Sequence, residues 1–194
     1  STFPLVTHKE SNAARDAGRL YMSILVGTSV VLFLPAVIYV WVKTGTLDFV
    51  PGGILAGHVT PVALPWLLAC FAFGIGKAAL MPFHRWLPAA MVAPTPVSAL
   101  LHAVAVVKAG VFTMLTVVIY VFGIDFLADN GGSDWLVWLA SFTILASSFV
   151  AISKDDLKAR LAYSTISQLS YIVLGAAIAT SIAAQGAALH IVMH

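Results

Sequence analysis

The stretch FGIGKAALMPFHRWL, Phe73–Leu87, closes a long apolar run and carries a charge inside it, at Lys77. Two glycines, Gly74 and Gly76, precede the lysine, and Pro82 follows it. If this run is a helix in water, Lys77 is an ordinary surface residue. If its solvent is lipid, a charged amine there costs at least ~2.5–3.5 kcal/mol and calls for a function.

Composition decides between the two. Of 194 residues, 60% are hydrophobic and only 9% charged, and mean hydropathy is +0.98. A soluble domain carries roughly a quarter charged residues. The chain cannot cover itself with polar surface, so lipid must be a partner. A net charge of +2 is too small to argue for nucleic acid as a partner, and the single cysteine, Cys70, leaves out disulfides and cysteine-ligated metal. The polar N-terminus is no cleavable targeting segment. Ser1 as first residue and the apolar segment that stops at His194 suggest a piece of a longer protein.

A spanning helix needs about 20 mostly apolar residues. Five segments qualify: 20–42, kinked at Pro35; 62–81, ended by Pro82; 97–122, started by Pro94–Pro96; 135–152, capped by Ser133 or Asp134; and 161–183. A sixth begins near Gly186. The expected fold is an all-α polytopic transmembrane bundle with a broken helix, five full spans and one truncated, forming one unit over 1–194. Trp41, Trp86, Trp135 and Trp138 read as interfacial anchors.

Basic residues fall in every second connection. Lys9, Arg15 and Arg19 precede the first span, His84 and Arg85 follow the second, and Lys154, Lys158 and Arg160 follow the fourth. The 124–134 connection has three aspartates and no Lys or Arg. The positive-inside bias then puts 1–19, 83–96 and 153–160 on the cytoplasmic side, or on the matrix side in an organelle; the expected location is a bacterial inner membrane.

The ionisable groups left within spans are Lys77, His102, Lys108, His190 and His194, whereas all eight carboxylates lie in connections or at span ends. Lys77 just before a break fits a hydrated ion site, because unpaired backbone in a membrane is tolerated where it lines a wet cavity. Lys108 lies near the middle of its span, beyond easy snorkelling reach. His102 precedes it by six residues, about 9 Å along a helix axis, a gap that waters can bridge. His190 and His194 share one face at i, i+4; with no third ligand beside them to favour metal, they suggest a further relay step or plain packing. The residues therefore read as proton carriers: Lys77, Lys108 and His102, with His190 a weaker candidate. No phosphate-binding loop, CxxC pair or hydrolytic triad appears, so no cofactor and no redox centre is expected.

The run GIGKAALMPFHRWLPAAMVAPTPVSALLHAVAVVKAGVF, Gly74–Phe112, together with KARLAYSTISQLSY and ALHIVMH, closely resembles the antiporter-like subunits of respiratory complex I, the Mrp-type cation/proton antiporters and the membrane-bound hydrogenases. The resemblance implies a helical bundle with inverted repeats and broken helices. It implies that Lys77 is the family's pumping lysine, that Lys108 is a lysine some members have, and that His102 is the histidine of the same helix. It also implies that the acid partner of Lys77 lies before Ser1. The expected function is proton translocation as a non-redox subunit of a complex I-type NADH:quinone oxidoreductase, among other membrane subunits. The alternatives are an Mrp-type Na+/H+ antiporter subunit or a hydrogenase subunit.

Overall fold

A computed structural model describes residues 11–99 and 106–194. Every regular element among them is helical. The first helix, α1, runs unbroken over Asn12–Thr44, eight residues earlier than its apolar content predicts. Ser11 supplies the cap, its hydroxyl accepting from the Ala14 amide at 3.2 Å. The polar first turns hide this start, since Arg15, Asp16 and Arg19 point outward.

Pro35 does not end α1 but widens it. Its missing N–H cannot serve the preceding turn, and Ser29–Phe33 is wound as a π-helix, with the Leu34 amide reaching Ser29 O. The chain then turns at Gly45 and returns as α2, Ala63–Gly74.

Here the structure departs from a full span over 62–81. Regular helix stops at Gly74. Gly76–Ala78 forms one 3-10 turn, Ala79 is left-handed at φ 55°, and the Met81–Pro82 peptide is cis. Helix resumes as α3 (83–92), made of Phe83–Arg85, Trp86–Ala89 and Ala90–Val92. This stretch is not the exposed connection that its His-Arg pair suggests. Trp86, Leu87 and Ala90 are fully buried, packed against α1 and the later helices. Trp86 is accordingly no interfacial anchor, because its whole ring, polar edge included, is enclosed by protein. Trp41 and Trp138, by contrast, are 57% and 78% exposed on the described surface.

The next elements are α4, Thr95–Ala99, and α5, Val106–Phe122. At Gly123 the chain bends by 77° into α6, Ile124–Asn130, a helix in place of the expected aspartate-bearing connection. Then follow α7, Asp134–Ile152, α8, Leu157–Ala177, and α9, Ser181–Met193. The α7 boundaries match the expected fourth span within one residue. The α8 boundaries do not match the expected fifth: Asp156 caps it through the Ala159 amide, and it ends six residues short of 183. The turn at Ile178–Thr180 lacks Gly and Pro. Ala179 takes the left-handed conformation at φ 54°, so composition concealed it.

By length and composition, α1 and α7 can each cross a membrane, and α5 with α6 makes a third span if the bent pair is counted as one. Ala63–Gly74 and Ser181–Met193 are apolar but shorter. α8 has the length, yet its middle carries Ser164, Thr165, Ser167, Gln168 and Ser170. Part of that polarity is used against α7, where Ser148 and Ser167 hydroxyls meet at 3.0 Å. Small hydroxylated residues suit close helix contact in lipid.

Candidate functional site

The break at Lys77 is built by close backbone approach. Gly74 faces the widened turn of α1: a Cβ there would sit 2.5 Å from the Phe33 amide nitrogen. Gly110 of α5 faces the break from the other side, where a Cβ would sit 2.6 Å from the Lys77 carbonyl carbon. Glycine alone fits both positions. The irregular turn is thus clamped between two helices at main-chain distance.

Its freed polar groups have partners. The Trp86 indole donates Nε1–H to Gly76 O at 3.0 Å, and the Lys77 amide donates to Ile75 O. The Tyr21 ring meets Trp86 edge-on at 5.6 Å, which ties α1 to the same point. Trp86 therefore supports the broken turn, a role that needs the structure to be seen because ten residues separate donor and acceptor.

Around the break lies a cavity of about 160 Å³, lined by Ser29, Gly74, Lys77, Gly110 and Thr113 among others. At about 30 Å³ per molecule it has room for a handful of waters. The Ser29 and Thr113 hydroxyls give the cavity a polar wall; Thr113 Oγ donates to Ala109 O at 2.7 Å. Lys77 itself is exposed on the described surface. Among the described residues none covers the open side of its cavity. Nor does any described carboxylate pair with it.

Lys108 is half-buried and stands elsewhere. Residues 108 and 110 are about 200° apart around α5, at 100° each. Gly110 faces Lys77, so Lys108 faces away, toward α9, which packs on α5; its charge acts on His194. The two lysines thus flank α5 on opposite sides. His102 lies outside the described residues. His190 and His194 do share a face, with rings stacked 6.1 Å apart and 6° between planes. His190 also meets Gln168 of α8 at 2.9 Å, a partner that the sequence does not reveal because 22 residues and a turn intervene. No cluster of three or more metal-ligating side chains occurs among the described residues.

At the opposite end of α3, the Lys158 ammonium donates to Ala93 O at 3.1 Å, and Ser98 Oγ donates to the same carbonyl at 3.1 Å. This pins the start of α8 to the end of the broken helix.

A family model described as "NADH:quinone oxidoreductase/Mrp antiporter, TM" matches residues 1–194. The chain is 37% identical over 202 residues to a probable K(+)/H(+) antiporter protein of Rhizobium meliloti, covering 100% of this chain and 19% of that protein. It is 34% identical over 179 residues to the "Putative antiporter subunit mnhA2" of Staphylococcus haemolyticus, covering 89% of this chain and 21% of that protein. Among solved structures, the Mrp complex from Dietzia sp. DQ12-45-1b superposes with a TM-score of 0.82 at 30% identity, over 98% of this chain and 21% of that one. The chain spans about a fifth of the length of these relatives.

Proposed function

The chain belongs to the NADH:quinone oxidoreductase/Mrp antiporter transmembrane family, and from that membership we propose that it forms the proton-handling core of an Mrp-type antiporter subunit that exchanges a monovalent cation for protons. The observation that carries the reading is the whole-chain match to a K(+)/H(+) antiporter protein, supported by the likeness to an Mrp complex. The sequence alone does not separate complex I from Mrp; these relatives support the Mrp alternative better than the complex I expectation.

In this reading Lys77 takes a proton from the water of its cavity at the helix break. Because α5 stands between Lys77 and Lys108, transfer between them runs around or through that helix by water, with His102 of the preceding segment as the intermediate group. His194 and His190 continue the path on the far side of Lys108. A neighbouring charge that moves a site's proton affinity by one pKa unit contributes about 1.36 kcal/mol, enough to bias each step. The other membrane subunits of the complex supply the remaining groups. The basic segments face the cytoplasm across a bacterial inner membrane. Two contacts support a common end for them: α1 packs on the Trp86–Val92 stretch, and Lys158 reaches Ala93.

The test is a full complex, purified and reconstituted in vesicles with a pH-sensitive dye. Addition of Na+ or K+ is expected to drive proton movement without any reductant. Proton movement that needs NADH and a quinone and ignores the cation would return the complex I reading. Movement under neither condition would refute transport.

A further inference from the structure

Helices α8 and α9 lie side by side, joined by the tight turn at Ala179, and a cavity of about 380 Å³ opens between them. Gln168 and His190 both line it. His190 Nε2 stands 2.9 Å from Gln168 Oε1. With Oε1 turned toward the ring the amide can only accept, and a hydrogen bond here requires the tautomer with hydrogen on Nε2 and the Nδ1 lone pair open. The other groups facing His190 among the described residues are the Tyr171 ring of α8, 6.2 Å away, and His194 of its own helix, stacked at 6.1 Å. Lys108 of α5 acts on His194 one step further out.

We infer that Gln168 is a positioning residue for proton exchange at His190: it holds Nε2–H toward the α8–α9 cavity and presents Nδ1 as the atom that loads and releases the proton. The step balances simply. Neutral His190 takes one proton at Nδ1 and becomes an imidazolium, then gives the same proton back from Nδ1. The Nε2–H···Oε1 bond is kept in both states, so the ring need not flip between loading and release. An unanchored imidazole would be divided between tautomers and orientations, and only part of the population would present the right nitrogen.

The inference rests on the transport reading above, and two variants of the full complex separate the two. Gln168→Leu keeps the size and removes the acceptor. Gln168→Glu keeps an acceptor and adds a negative charge, which favours the charged ring and keeps it loaded to higher pH. Cation-driven proton movement in vesicles, normalised to assembled complex, is expected to fall about 3- to 10-fold in Gln168→Leu, the value of one lost hydrogen bond. Gln168→Glu is expected to remain active with its pH optimum moved upward. Wild-type rate and pH profile in Gln168→Leu would overturn the inference. So would equal loss in both variants, or a Gln168→Glu optimum that does not move. A wild-type complex that moves no protons would overturn the transport reading and this inference with it.

Discussion

Gly110→Ala probes the clamp at Lys77 with a single methyl group. The new Cβ would lie 2.6 Å from the Lys77 carbonyl carbon, 2.7 Å from the Ala78 amide nitrogen and 2.7 Å from Lys77 Cβ. Ordinary contact begins near 3.4 Å, so about 0.8 Å must be found between α5 and the break. Two of the three atoms are backbone, and no flexible side-chain tip can yield instead. Overpacking of this kind costs about 1–3 kcal/mol. The displacement falls on the turn that carries the proposed proton site, where a misplacement of about 1 Å can cost on the order of 100-fold in rate. Gly27→Ala is the matched control: it also adds one methyl to a helix, but nothing lies within 4 Å of its Cβ. That change is expected to gain about 0.5–1 kcal/mol through lower backbone entropy and to leave transport alone. Both variants would be made in the full complex, with assembled complex measured by detergent extraction and transport by cation-driven dye response. Wild-type transport in Gly110→Ala would refute the argument that main-chain contact at this point fixes the lysine.

Three further outcomes follow from named contacts. Trp86→Phe removes one of two donors to the buried Gly76 carbonyl, leaving the Ala79 amide at 3.2 Å, and should cost about 0.5–1.5 kcal/mol, read as a lower thermal midpoint of the purified complex; an unchanged midpoint would mean that the Ala79 bond alone satisfies the carbonyl. Lys158→Met removes the stronger of two donors to Ala93 O and should lower stability by about 1 kcal/mol, a value reduced from that of a buried charged bond because the amine is partly solvated. Lys158→Arg should recover part of it. Ala179→Gly removes a left-handed alanine and should stabilise the complex by up to about 1 kcal/mol; a loss instead would show that the Ala179 methyl packs better than the strain suggests.

Much of this fold is written in hydropathy, because lipid exposure forces apolar runs wherever helices face it. The α7 boundaries were legible for that reason, and Pro35 marked the place before which α1 widens. The break was legible in kind, from Gly74, Gly76 and Pro82, but its place was not. It begins at Ile75, because α1 and α5 approach the backbone there, and only packing could fix that point. Ends that coincide with no polar residue were hidden: Ala179 turns the chain in the middle of an apolar run. Polar starts were hidden the other way, since Ser11 opens α1 within a segment that looks like a tail. Of the candidate site, Lys77 was visible as a charge without a local partner, and His190 with His194 as an i, i+4 pair. The separation of Lys77 from Lys108 by α5 was not visible, because it depends on which side of α5 meets each neighbour. Trp86 and Gln168 were missed as supporting residues, since their bonds cross from one helix segment to another.

The central claim is that the amine at the helix break carries the transported proton. Its most direct test is cation-driven proton movement by the reconstituted full complex with Lys77→Ala, compared at equal amounts of assembled complex. The account predicts loss of transport in a complex that still assembles; transport at the wild-type rate would contradict it.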